Sequence, residues 1–225
     1  MTTELFTKGY DSQNEDYCKV IELEGRIFVI MADGMGGLSL GAEAAECVCE
    51  GIAEYVSKNL DTDILWQEAF KYADNKLQEL SLANHSNMGA AVTALIITET
   101  SCEVAWQGNV RLYLYRGNHL QQLTTDHVMD IGYGQKMLTR CLKGGGLRDD
   151  VPTKNIPLQT ADILFLCTDG FYNIHEQELS PGNAIAPKEG IMTDDATCLT
   201  IKIKPRMSPL PSSKDSPATT ATCVS

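Results

Sequence analysis

Carboxylates stand at the ends of apolar runs in this sequence, and they do so repeatedly. Ile27 to Ala32 is an unbroken apolar stretch that runs into Asp33, and three of the next four positions, Gly34, Gly36 and Gly37, are glycine. The pattern recurs in "ILFLCTDG", which ends in Asp169-Gly170. Two more acidic pairs flank strand-like segments, Glu15-Asp16 before "YCKVIEL" and Asp194-Asp195 before "TCLTIKI". If those strand ends converge, four or more carboxylates share one rim, and each pair at ~4 Å repels by about 4 kcal/mol at an effective dielectric near 20. A bound divalent cation removes that cost. Mg²⁺ and Mn²⁺ are hard ions that take oxygen ligands, so carboxylates, a backbone carbonyl and water suffice without His or Cys. Gly34 can turn its carbonyl toward such an ion, and Gly36 and Gly37 permit a tight turn into a helix beginning near Leu40. A turn role accounts for Asp33 or Asp169 taken singly, but poorly for both beside two further acidic pairs.

The elements that must position these groups follow from periodicity. "YCKVIEL" and "RIFVIMA" are short, β-branched and bounded by Glu, Gly and Asp, as strands are. Ala45, Val48, Ile52 and Val56 recur at helical spacing, as do Leu65, Ala69, Tyr72, Leu77 and Leu80, so two helices are expected. Next come "AAVTALIITE", "CEVAWQG" and "VRLYLYRGNHLQQLT", a strand meander turning at Thr100-Ser101 and Gly117-Asn118. "ILFLCTDG" and "ATCLTIKIK" supply the last strands. Strands, then helices, then strands, without regular alternation, point to α+β.

At 225 residues the chain suits a single domain, 1–204, followed by a Pro/Ser/Thr-rich tail, 205–225, that buries too little apolar surface to offset its ordering entropy. Hydrophobic residues make up 43% and charged residues 21%, ordinary for a globular protein. The net charge of -12 opposes nucleic-acid or anionic-membrane binding. No apolar run approaches the ~18 residues that span a bilayer, and the start lacks a basic-then-apolar signal, so a cytoplasmic protein is expected. Of the eight cysteines, Cys47, Cys49 and Cys167 lie within apolar periodic segments, which favours buried thiols over disulfides.

Seven pieces, in order, resemble the metal-dependent protein phosphatases of type 2C: "NED" (Asn14 to Asp16), "ADGMGG" (Ala32 to Gly37), "MGAAVTALI", "QGNVRLYLYRGNHLQQLTTDH", "LTRCL", "DILFLCTDG" and "DDAT" (Asp194 to Thr197). The chain is similar to a compact, bacterial-type member. The resemblance implies a four-layer αββα sandwich of two antiparallel sheets flanked by helices, with two Mn²⁺ or Mg²⁺ ions between the sheets. It implies that Asp33 bridges the ions, that Gly34 offers its carbonyl, that Asp169 and Asp194 complete the inner ligands, and that Glu15 and Asp16 bind an ion or orient its waters. Asp33, Asp169 and Asp194 are thereby the catalytic set. The reaction implied is hydrolysis of phosphoserine or phosphothreonine without a phosphoenzyme; the partners are a phosphorylated protein and a cognate Ser/Thr kinase, and a monomer is expected.

The chain also departs from that family. Asp11 stands where most members carry a phosphate-gripping Arg, leaving Lys8, Arg140 or Lys143 as substitutes. Asn109 replaces the aspartate of a "GDSR" turn, which limits the site to two ions. Residues 128–137 and 171–193 are short, so the usual flap over the site is reduced or absent. These departures raise an alternative, a type 2C-like pseudophosphatase that binds a phosphoprotein or kinase. Two other readings fail on spacing: Ser39 breaks a dinucleotide-binding G-x-G-x-x-G turn, and Cys141 to Arg148 encloses one residue too many for a cysteine phosphatase loop. His127 is expected to be a satisfied polar residue, Arg111 an ion-pair partner beneath the site, and Trp66, Phe70 and Tyr72 part of the core.

Overall fold

The computed structural model describes residues 1–10, 13–23, 25–36, 40–59, 64–133, 135–181 and 193–204. Asp11 and the 205–225 tail lie outside the described residues. Strand β1 is Thr2–Lys8, β2 Asp16–Leu23 and β3 Arg26–Gly36; helices α1 (Gly41–Lys58) and α2 (Trp66–Ala83) follow. Then come β4 (Met88–Thr98), β5 (Ser101–Gln107), β6 (Arg111–Arg116), β7 (His119–Gln122), β8 (Val128–Gly132), β9 (Gln135–Leu138), β10 (Thr153–Pro157), β11 (Ile163–Cys167), α3 (Asp169–His175) and β12 (Ala196–Lys202). Two five-stranded sheets form, ordered β10-β5-β4-β3-β2 and β1-β12-β11-β6-β7, with β8-β9 as a separate two-stranded ribbon. All pairings are antiparallel.

The unbroken apolar run before Asp33 now has its reason. β3 lies inside its sheet, between β2 and β4, and both of its faces are covered. Phe28, Ile30 and Ala32 pack with Val48, Ile52 and Phe70 of the helices, whereas Ile27, Val29 and Met31 pack across the sandwich against residues such as Leu166, Leu199 and Ile201. A strand buried on two sides cannot alternate polar and apolar residues, since each buried Val, Leu or Ile contributes roughly 1.5–3 kcal/mol.

α1 buries Ala45, Val48, Ile52 and Val56 as expected, together with Ala44. In α2 the buried stripe is Trp66, Ala69, Phe70, Ala73 and Leu77, while Leu65 is the exposed residue before the helix and Tyr72 hydrogen-bonds Glu54 at 2.8 Å. Trp66 and Phe70 are in the core as expected, whereas Leu65 is exposed and Tyr72 only half-buried, its hydroxyl turned to Glu54.

The outer face of the second sheet carries a smaller layer. Phe171, Tyr172 and Leu179 cover Phe165, Cys167 and Cys198, and Phe171 meets Phe6 of β1 edge-on at 5.6 Å. Two antiparallel sheets with flanking helices are present as expected, but among the described residues the fourth layer is one seven-residue helix. The seven described cysteines are all free, as the thiol reading required.

Candidate functional site

The rim is assembled from four strand ends. Asp16 and Asp33 are direct register partners where β2 begins and β3 nears its end. β11 ends one residue before Thr168-Asp169, and Asp194-Asp195 immediately precede β12, its antiparallel neighbour. Glycines let these ends close. A Cβ at Gly34 would overlap the backbone carbonyl of Gly41 and stand 2.9 Å from that of Glu15; one at Gly170 would overlap the carbonyl of Asp195. Gly34 donates its N–H to the Glu15 carbonyl at 3.0 Å. The glycine after each aspartate is thus dictated by backbone crowding as well as by any carbonyl role.

Three groups brace the frame in ways the sequence did not announce. Thr168 donates its hydroxyl to Asp16 at 2.8 Å and accepts the N–H of Thr197 at 2.9 Å, tying the two sheets together at the rim. Asp195 accepts the backbone N–H groups of Tyr10 (2.6 Å) and Glu15 (2.7 Å), which pins the segment before β2 to the start of β12. Asn109 donates to Asp169 at 2.9 Å, and its own carbonyl oxygen is buried without a protein partner. The signals were present as the Thr before Asp169 and the second Asp of the last pair, but neither residue type announces a bracing role.

Electrostatics join these carboxylates into one site. Burial first, then repulsion from Asp169, Asp16 and Asp194, pushes the Asp33 carboxyl well above the ordinary range. Asp16 is pushed up to about 7, chiefly by burial, against the hydroxyl bonds of Thr197 and Thr168, with Asp195 and Asp169 adding repulsion. Glu15 is raised by burial and then by Asp195, Asp194 and Glu43. Burial and Asp169 raise Asp194, although it is exposed and water screens part of that effect. Asp33 thus feels Asp169, Asp16 and Asp194 as charged neighbours.

Among the described residues, no three His, Cys, Asp or Glu side chains stand close enough to grip an ion in the positions they occupy. The chemistry of the set fits a hard divalent ion nonetheless: the donors are oxygens, and one carboxylate oxygen of Glu43 is buried without a hydrogen-bond partner.

A cleft of about 730 Å³ opens beside Asp169 and Asn109, walled by Met35, Tyr172, Lys143 and the β8-β9 ribbon. Of the three cations expected near the phosphate, Lys143 lines this cleft, Arg140 pairs with Asp149 at 3.2 Å, and Lys8 ends β1 opposite Ala196. Arg111 makes a forked pair with Asp126 (2.7–3.1 Å) and lies 3.7 Å over the Tyr172 ring, a structural role as expected. The His127 ring accepts the Gly108 N–H at 3.1 Å and stacks on Trp106, while burial and Arg140 lower its pKa, so it is a satisfied neutral residue.

Fold and rim together define an αββα sandwich whose acidic site lies where its two sheets meet. The model of the protein phosphatase 2C family matches residues 9–194, and the chain belongs to that family. The serine/threonine phosphatase stp of Listeria welshimeri is 30% identical over 186 residues, covering 72% of this chain and 73% of the relative. The protein phosphatase PhpP of Streptococcus pneumoniae is 28% identical over 193 residues, covering 72% and 75%. Among solved structures, the PstP catalytic domain in complex with two manganese ions aligns with a TM-score of 0.69 at 19% identity, covering 88% and 96%. A bacterial serine phosphatase aligns at 0.74 and 17%, covering 92% and 100%.

Proposed function

We propose that this chain is a phosphoprotein phosphatase that hydrolyses phosphoserine and phosphothreonine with two divalent cations, Mn²⁺ or Mg²⁺, held by Asp33, Asp169, Asp194 and the Gly34 carbonyl, with Glu15 and Asp16 binding directly or through water. The observation that carries this reading is the convergence of acidic strand ends where the two sheets meet: Asp16 stands opposite Asp33 across β2 and β3, Thr168 bonds Asp16 from the end of β11, and Asp33 feels the charges of Asp169, Asp16 and Asp194. Family membership and the relatives' names support it. When bound, such ions supply positive charge to the transferred phosphoryl group and acidify the attacking water.

The chain's own residues do the positioning. Thr168 and Asn109 fix the carboxylates of Asp16 and Asp169, and Asp195 holds the Glu15 segment against the rim. The Gly34 and Gly41 backbones close the floor. Lys143, lining the same cleft as Asp169, is the cation we assign to the substrate phosphate. We place the enzyme in the cytoplasm as a monomer acting opposite a Ser/Thr kinase; no helix among the described residues is long and apolar enough to cross a membrane.

The test is turnover of a phosphothreonine peptide and of p-nitrophenyl phosphate in Mn²⁺, repeated with Asp33→Ala. Removing the most repelled carboxylate is expected to lower kcat/KM by about 10³-fold or more. Wild-type protein inert on both substrates at saturating Mn²⁺ would leave the binding-module alternative standing instead.

A further inference from the structure

The cleft beside Asp169 has one wall that the rim does not explain. Lys136, Met137 and Leu138, three consecutive residues of β9, all line it, whereas β8 contributes Val128 alone. Consecutive residues of one strand can share a cavity only if the strand presents its edge, because its faces alternate. β9 has such an edge. Among the described residues it pairs with β8 and with no other strand.

The register says which backbone groups face outward. Thr139 donates to the His127 carbonyl at 2.8 Å, and Leu138, Met137 and Lys136 stand opposite Val128, Met129 and Asp130. Hydrogen-bonded pairs alternate in an antiparallel ladder, so Met137 bonds inward to Met129, while the N–H and C=O of Lys136 and Leu138 point away from β8. Among the described residues no other backbone group bonds either one. Two donors and two acceptors, spaced as a strand requires, therefore face the cleft that leads to Asp169 and Asn109. Met35 and Met137, deformable thioethers, line the same space.

We propose that the free edge of β9 binds the segment flanking the phosphorylated residue as an added antiparallel or parallel strand, so that substrate is held through its backbone and its phosphoresidue is delivered to the rim. This rests on the phosphoprotein phosphatase reading above. Strand addition draws affinity from main-chain hydrogen bonds and specificity from alternate side chains, which fits an enzyme that reads an extended segment with little demand on sequence beyond an apolar residue over Met137.

The experiment is a backbone N-methyl scan of a phosphothreonine peptide, one flanking nitrogen at a time. Each methyl group deletes one donor and obstructs strand pairing. Alternate positions on one flank are expected to lose about fivefold in kcat/KM, with the positions between them unchanged, since one hydrogen bond is worth about 1 kcal/mol net. Lys136→Pro removes an outward N–H and sets its ring where the added strand would lie, without touching the ladder to β8, so docking on the edge is lost and the difference between methylated and plain peptides should vanish; Lys136→Ala, which keeps the N–H and adds no ring, should preserve it. Uniform tolerance along the scan, or a period that survives Lys136→Pro, overturns the proposal. Fluorescence-anisotropy titration with non-hydrolysable phosphonate versions of the same peptides reads the edge without turnover. Periodic losses in binding without hydrolysis would retain the edge and sink the phosphatase reading; hydrolysis without a period would do the reverse.

Discussion

At the scale of single residues, Asn109 shows how one amide reshapes a carboxylate site. Its side-chain N–H group fixes Asp169 at 2.9 Å without adding a negative charge to a rim that already repels itself. Asn109→Ala is expected to release Asp169 and to lower kcat about 5- to 10-fold, the cost of one hydrogen bond to a charged group. Asn109→Asp has the same shape and the opposite consequence: a new like charge at hydrogen-bond distance strengthens the pull on cations, so half-maximal activity moves to lower Mn²⁺. An Mn²⁺ titration of activity in the three proteins separates the cases. If Asn109→Asp reached half-maximum at the wild-type concentration, the amide would not be sparing the site a charge.

Elements explain why some of this was legible beforehand and some was not. β3 and β11 could be read directly, since strands covered on both faces must be continuously apolar, and each delivers its aspartate at the end of such a run. β1, by contrast, is mostly exposed, with the sequence TTELFTK, and only Phe6 packs against the α3 layer; a strand held by pairing with β12 carries little hydrophobic signal. The β8-β9 ribbon was also missed. The reduced flap expected across 128–137 takes the form of a hairpin whose Met129, Ile131 and Met137 face solvent. The conformation of the second shortened stretch lies partly outside the described residues. Backbone crowding was invisible as well, because no periodicity reports a close approach between Gly34 and Gly41. That approach yields a clean comparison. Gly34→Ala forces its Cβ into backbone that cannot move aside and should cost roughly 1–3 kcal/mol of stability, whereas Gly145→Ala, with nothing within 4 Å of the added carbon, should be near neutral in the same thermal or urea melt. Equal midpoints for the two variants would mean that the β3-to-α1 junction relaxes freely.

At the scale of the whole molecule, the acidic rim should govern stability against pH. Asp33, Asp16, Glu15 and Asp194 all have raised values in the folded chain, Asp16 reaching about 7 from 3.8. A carboxyl whose folded pKa is raised keeps its proton in the native state after the unfolded chain has released it, so the folded state binds more protons and stability falls as pH rises. The window runs from the unfolded carboxylate range, near about 4, to about 7. Of the opposite contributions, that of Glu54, held low by Lys58, Lys76 and Tyr72, is fully present above the ordinary Glu value and lost only as pH falls below it, so it does not oppose the trend inside that window; His127, lowered by burial and Arg140, is a single group that works against the trend in its upper part. In EDTA the melting midpoint should therefore decline from mildly acidic to neutral pH. Divalent cations that bind the folded rim reverse this, since a ligand at 100-fold over its dissociation constant stabilises by about 2.7 kcal/mol. For a chain of this length that is worth roughly 5–10 °C in midpoint, and the gain should be larger at neutral pH, where the carboxylates are free to take the ion, than at acidic pH, where protons compete. A metal-free midpoint that stays level or climbs across that interval would mean that the four carboxylates do not share one rim, and the assignment of the site would fail with it.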